Sequence, residues 1–256
     1  MNTLKKVIYT CIVGGYDELW QPEAVDGSYD YICFSNDFRE SRIGVWEIRP
    51  IPFSSKDSTR LSRYVKILPH RVLEEYDVSV WMDAGIQVIT GEFYRYLEDA
   101  VASRSLIAQV PHRHWDCVYE DMKAVLEQDR VSFWPTYRQY RHLRRDGHPA
   151  HYGLYENNLI FRFHNDPLVT VISEEWWREY MAYSKRDQFS LVNIYRKRGF
   201  APALLFGDSR GAADVTFLWW HNHVRKQDFS SVKGGKRALF KVRWTLKHIL
   251  TKLLIK

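Results

Sequence analysis

The chain has 256 residues, 45% of them hydrophobic and 27% charged, with a formal net charge of +6. That length and apolar share fit one large domain or two small ones and exclude a disordered chain. Three cysteines, Cys11, Cys33 and Cys117, form no CxxC pair, so neither a disulfide framework nor a structural zinc site is indicated.

The positive charge is local. Residues 233–256 carry eight Lys or Arg and no Asp or Glu, so subtracting those eight from +6 leaves −2 for the body. The opening MNTLKKVIYTCIVGGYD runs straight into a strand-like pattern and does not read as a signal peptide. No apolar stretch reaches the roughly 18 to 20 residues that a spanning helix needs. A cytoplasmic protein is therefore expected. Aromatic residues make up 15% of the chain, a share that suits stacking on sugars or bases as well as core packing.

In chain order, Lys6 to Val13 reads as a first strand, closed by a Gly14-Gly15-Tyr16 turn where backbone can approach a ligand. Without GxGxxG or a GKS/T element, neither a dinucleotide site nor a P-loop is supported. Asp30–Phe34 and Trp46–Ile48 read as further strands, and Pro50, Pro52 and Ser54-Ser55 as a loop. From Arg60 to His70 the spacing places Arg60, Arg63, Lys66 and His70 on one helical face, with Leu61, Val65 and Leu68 largely opposite. A solvated basic face is the plain reading. The stripe leads, however, into Val78–Met82, an apolar run too short for a helix that ends at Asp83, followed by Ala84 and Gly85.

An acid at the carboxyl end of a buried strand stands where open α/β sheets bind ligands, and it can hold a metal or a sugar hydroxyl. A turn aspartate is the alternative. Cations beside such an acid suit a diphosphate, since Arg offers a planar fork and Lys a point charge.

Glu92–Ala102 reads as a helix, Leu106–Val110 as a strand, and Asp116–Gln128 as a helix. His112 and His114 lie between them at a spacing that lacks a tight zinc pattern, which favours a substrate or structural role. Trp134–Gly147 is aromatic and basic; His148–Tyr155 is a loop; Glu156, Asn157 and Asn158 open the strand LIFRF. Those polar groups serve as acceptor contacts or as a strand cap. Trp176-Trp177 sits in an amphipathic helix, and Asp187-Gln188 heads another that Gly199 ends, so Asp187 also reads as an N-cap. A second His-x-His pair, His221 and His223, closes the body.

In the last segment Leu239, Val242, Leu246, Ile249, Leu250 and Leu253 recur at helical spacing among lysines and arginines. A helix lying in an anionic membrane surface is expected there. Large apolar residues along one side favour this over nucleic acid, which is not expected as a partner.

Taken together, YTCIVGGYDEL, DYICFS, RLSRYVKILPHRVLEEYDVSVWMDAGIQV, CVYED, GLYENNLIFRFHN and RDQFSL, in that order over residues 6 to about 225, carry a resemblance. The chain resembles the glycosyltransferase-like domains, first filed as a domain of unknown function, of plant wall-polysaccharide and bacterial surface-polysaccharide proteins. The resemblance implies an α/β fold of GT-A type: one Rossmann-related, nucleotide-sugar-binding domain over residues 1–229, with a mostly parallel central sheet between helices. Residues 230–256 follow as the basic helix.

It also implies transfer of a sugar from a nucleotide-diphosphate donor, a UDP-sugar by expectation, to a hydroxyl of a lipid-linked glycan acceptor in O-antigen or capsule synthesis at the inner face of a bacterial plasma membrane. Gly14, Tyr16 and Asp17 would then lie near the nucleoside, with Arg60, Arg63, Lys66, His70, Asp83 and Gly85 toward the diphosphate. In the broader class an Asp-x-Asp pair holds Mn2+ or Mg2+. Here the first acid matches Asp83 and the second position is Gly85, so the ion would be completed by His221 or His223, or dispensed with in favour of the cations. Asp187, then Glu156, are the candidate bases, and His112, Asn157 and Gln188 the acceptor contacts. A hydrolase of a lipid or glycoside using paired carboxylates and a non-catalytic carbohydrate- or membrane-binding module remain the alternatives.

Overall fold

The computed structural model describes residues 4–207, 212–222 and 235–255. Strands β1 (Lys6–Cys11), β2 (Tyr29–Phe34), β3 (Arg42–Ile43) and β4 (Trp46–Arg49) precede helix α1 (Ser58–Ile67). Next come β5 (Val78–Met82), β6 (Ile86–Val88), α2 (Glu92–Ala102), β7 (Ile107–Pro111), α3 (Val118–Glu127) and α4 (Phe133–Arg145). The chain continues through β8 (Tyr155–Arg162), α5 (Pro167–Ala182), α6 (Asp187–Arg198), β9 (Ala203–Leu204), β10 (Leu218–Trp220) and α7 (Gly235–Leu254).

Eight strands form one sheet in the order β3-β4-β2-β1-β5-β8-β7-β9, while β6 and β10 pair separately and antiparallel. Strands β4, β2, β1 and β5 run parallel, as do β7 and β9; β8 runs against both its neighbours and β3 against β4. This is the expected α/β class with a mostly parallel central sheet.

Burial on both faces explains the continuous apolar strands. In β1, Val7 and Tyr9 pack with Val65 of α1, Trp176 of α5 and Ile194 of α6, whereas Ile8 packs on the other face with Phe93 and Leu97 of α2. The alternation is the period of two that a pleated strand imposes. A third cluster joins α3, α4 and the start of α6.

Several elements depart from expectation, β9 and β10 among them. Helix α1 stops at Ile67 because Pro69 cannot continue it, so His70 lies in a separate 3-10 turn, Pro69–Arg71. Helix α4 buries Phe133, Thr136, Gln139, Tyr140 and Leu143, a stripe whose two polar members hide its period from an apolar count. The two-residue β3 is too short to leave a pattern.

The terminal helix forms, and part of it docks on the body. Thr251 is buried, Ile255 just beyond the helix enters the α3–α4 cluster, and Lys247 bonds the carbonyl of Val131 at 2.8 Å and pairs with Asp129. Trp244, Leu246, Ile249 and Leu253 stay exposed. The side chains of Leu239 and Val242, the expected domain boundary at 229/230 and His223 lie outside the described residues.

Candidate active site

Topology brings the polar residues to one edge. Because β1, β5 and β7 point the same way and β8 runs against them, the ends of the first three meet the start of the fourth. Backbone pairing fixes the junction: the Asp83 amide donates to the Asn158 carbonyl at 2.8 Å. A cleft of about 220 Å³ opens there, lined by Arg63, Lys66, Asp83, His112, Glu156, Asn157, Asn158, Arg186, Asp187 and Gln188. A larger concavity, about 400 Å³, lies between α5 and α6. Its lining includes Glu175, Glu179, Lys197 and Arg198, which pair with one another, and none of the sequence candidates.

The centre of the cleft is an ion network. Lys66, 1% exposed, sends its Nζ 2.8 Å from Asp187 Oδ2 and 3.4 Å from Asp83 Oδ1, and Arg63 Nε lies 3.2 Å from the same Asp187 oxygen. Trp81 Nε1 donates to Asp83 Oδ1 at 2.7 Å, and its ring faces the Lys66 ammonium at 5.3 Å. From behind, Arg162 Nη2 donates to the Lys66 carbonyl at 2.7 Å and the Tyr9 hydroxyl donates to it at 3.2 Å, which pins the last turn of α1. Burial raises the Asp187 carboxyl, but Lys66 and Arg63 outweigh it and hold the group far below the usual carboxylate range. Burial lowers Arg63, and Asp187 with Asp83 more than restores it.

Asp187 is not an N-cap. That place belongs to Arg186, and Asp187 is the first residue of α6.

At the other end, His112 Nδ1 accepts from the amides of His114 and Trp115 at 3.3 and 3.1 Å, which leaves the proton on Nε2. Burial lowers its pKa, with Asp121 and Glu156 opposing, so the ring meets the cleft as a neutral N–H donor at pH 7. Arg186 Nε lies 3.6 Å from the buried Asp121. Gln188 Nε2 donates to the Tyr155 carbonyl at 3.3 Å.

Several sequence candidates stand outside the lining of this cleft. His70 Nε2 meets Glu174 of α5 at 2.9 Å, because the break after α1 turns it off the basic face. Arg60, beside Asp57 at 3.9 Å, does not line the cleft. His221 bonds Gln87 through Nε2 at 2.8 Å and stacks on Trp20 at 3.5 Å. Gly85 accepts from the His221 amide at 2.8 Å, and a Cβ there would stand 3.4 Å from the His221 carbonyl oxygen. At the end of β1, Gly14 and Gly15, with φ of 73° and 59°, aim both amides at Asp37 Oδ2, at 2.5 and 3.2 Å. Gly14 abuts Ser58 of α1, and the Tyr16 ring is exposed.

Of the groups expected to hold a divalent ion, Asp83 lines the cleft and His223 lies outside the described residues. Asp83 Oδ1 already accepts from Trp81 and Lys66, and among the described residues no set of three metal-capable ligand atoms includes Asp83 or His221. The set His142, Asp146 and Glu179 is satisfied instead by Lys197, which pairs with both of its acids.

Sequence reading passed over Arg186, Trp81 and Asp37. The signal for Trp81 was present: residues two apart on a strand share a face, so Trp81 accompanies Asp83. Asp37 had none, since it acts across two loops.

No curated protein matches the chain in sequence. Among solved structures, one described as the apo form of the bifunctional glycosyltransferase WbbM aligns at TM-score 0.45 and 13% identity, over 100% of this chain and 45% of that one. The chain thus spans less than half of that protein. The apo form of mouse xyloside xylosyltransferase 1 aligns at TM-score 0.40 and 10% identity, over 77% of this chain and 82% of that one. The model of the TOD1/MUCI70, glycosyltransferase-like domain family matches residues 1–205. With 205 of 256 residues covered, the chain belongs to that family.

Proposed function

We propose that the protein is a glycosyltransferase that moves a sugar from a nucleotide-diphosphate donor, with UDP as the nucleotide, to a hydroxyl of a lipid-linked glycan in surface-polysaccharide synthesis. One observation carries this reading: Lys66 and Arg63 from α1, Asp83 just beyond β5 and Asp187 from α6 converge at the strand ends. Asp187 and Asp83 balance the two cations, whose N–H donors are the groups this reading aims at the departing diphosphate. In this reading they do the work otherwise given to a divalent ion.

In this reading the acceptor hydroxyl oxygen bonds the anomeric carbon as the bond to the diphosphate breaks. The electron pair leaves on the diphosphate, and the hydroxyl proton passes to Glu156. Glu156 is preferred to Asp187 as base because Asp187 is held ionised by two cations and is too weak a proton acceptor near neutral pH. The Gly14–Asp17 turn, with Asp37, serves the nucleoside end.

A thermal-shift panel of nucleoside diphosphates, with and without Mn2+, tests the donor assignment, since a ligand of the native state raises its Tm. UDP is expected to raise Tm without the ion; no shift with any nucleotide would overturn the reading. Asp83→Asn is expected to leave the fold intact and lower transfer by about a hundredfold, the scale of one lost electrostatic contact in an active site. Full activity would remove Asp83 from the site.

The exposed Leu246, Ile249 and Leu253, on one side of a helix without acidic residues, support docking of α7, as a unit following the transferase domain, on the cytoplasmic face of an anionic membrane. No described helix is long and apolar enough to cross a membrane. Replacing Leu246, Ile249 and Leu253 by asparagine is expected to abolish co-sedimentation with phosphatidylserine vesicles while Tm holds. Unchanged co-sedimentation would rule out this face.

A further inference from the structure

Apart from Arg63 Nε, Arg186 Nε and Asp187 Oδ2, which are ion-paired, two side-chain atoms of the cleft are buried without a hydrogen-bond partner, one a donor and the other an acceptor: Asn157 Nδ2 and Asn158 Oδ1. Their orientations are forced by obligate acceptors. Gln109 Nε2 donates to the Glu156 carbonyl at 3.3 Å and to Asn157 Oδ1 at 2.9 Å, and Gln109 Oε1 accepts from the Tyr195 hydroxyl at 2.5 Å. Asn157, 3% exposed, is therefore left with its NH2 unmatched. Asn158 Nδ2 donates to Glu156 Oε2 at 3.0 Å, which leaves its oxygen unmatched. A buried polar atom without a partner costs free energy, so a lasting pair of them in a cleft points to a ligand that completes both.

A hydroxyl both donates and accepts, whereas a carboxylate or phosphate oxygen only accepts. The charges nearby point the same way. Around His112 stand Asp121 and Glu156 on one side of the balance and Arg186 on the other, with Arg186 already facing Asp121. An anionic sugar would add a third negative charge to that corner. His112, a neutral donor, accommodates a hydroxyl oxygen without demanding an anion.

We propose that Asn157 and Asn158 form a subsite that reads the C6 hydroxyl of the donor sugar and so selects an uncharged hexose over its uronate. Asn157 donates to the hydroxyl oxygen and Asn158 accepts its proton. The inference rests on the nucleotide-sugar reading above.

Calorimetric titration of the full chain with UDP, UDP-glucose, UDP-galactose, UDP-glucuronate and UDP-galacturonate tests it. The neutral sugars are expected to bind about tenfold tighter than their uronate counterparts, the scale of one lost hydrogen bond with an acceptor left unmatched. Asn157→Asp leaves two acceptors facing a hydroxyl with one proton, so it is expected to erase the gain of the neutral sugars over UDP while UDP binds as before. Asn157→Ala, which removes the donor without adding charge, is expected to do the same, and retained UDP binding certifies both folds. Uronates that bind as well as their neutral counterparts, or Asn157 variants that keep the full sugar gain, overturn the proposal. Failure of UDP itself to bind the unaltered chain removes instead the nucleotide-sugar reading beneath it.

Discussion

Lys66→Met is expected to reduce both stability and transfer, the first by about 3–5 kcal/mol, because breaking a buried pair by removing one partner leaves a charge without compensation. Lys66 is 1% exposed and stands 2.8 Å from Asp187, itself 5% exposed. Methionine fills nearly the same volume, so the loss comes from charge and not from a cavity. Arg63 remains beside Asp187 at 3.2 Å and softens the effect without cancelling it.

Transfer is expected to fall by about a thousandfold, the upper range for a lost preorganised donor at an active site. Urea unfolding and donor turnover measure the two effects separately. The double variant Lys66→Met with Asp187→Leu is expected to regain stability, since replacing a whole buried pair by apolar groups is often neutral or stabilising, while turnover stays lost. Recovery of turnover in the double variant would show that the ammonium serves only to neutralise its partner.

Glu156→Gln and Asp187→Asn are expected to fail in opposite ways. Removing a positioned base costs about 10²–10⁴ in rate, so Glu156→Gln loses transfer while its unfolding midpoint holds. Asp187→Asn leaves Lys66 and Arg63 facing each other across a neutral amide and loses stability first. Its pH dependence gives a second readout. The Asp187 carboxyl is held lower in the folded chain than in the unfolded one, so its stabilisation is complete above the unfolded value of about 4 and fades as pH falls through the folded value. Asp187→Asn is therefore expected to flatten the acid limb of the stability profile below about pH 4. Were Asp187→Asn stable and inactive, with Glu156→Gln active, the two roles would be exchanged.

Part of this site is legible in the amino-acid sequence alone. Val78–Met82 is an unbroken β-branched and aromatic run, and such a run is legible because a strand buried on both faces needs no polar alternation. The helix carrying Arg63 and Lys66 shows its period, as does the helix that Gly199 ends with a left-handed cap. Helix α4 does not, because Thr136 and Gln139 are buried through hydrogen bonds to Ser184 and Ser190 that only distant chain supplies.

Local sequence thus determined the inner strands, most helices and the kinds of residue available for chemistry, since propensity and apolar period act over a few neighbours. Which of those residues meet was decided by tertiary structure. The parallel run of β1 and β5 against an inverted β8 carries Asp83 to Asn158, 75 positions along the chain. The same packing buries Lys66 between Asp83 and Asp187, sends His70 to Glu174 and turns His221 toward Gln87. Charge pairing and burial are properties of distance in space, and a stripe of basic residues in sequence has no means of recording which of its members will find an acid.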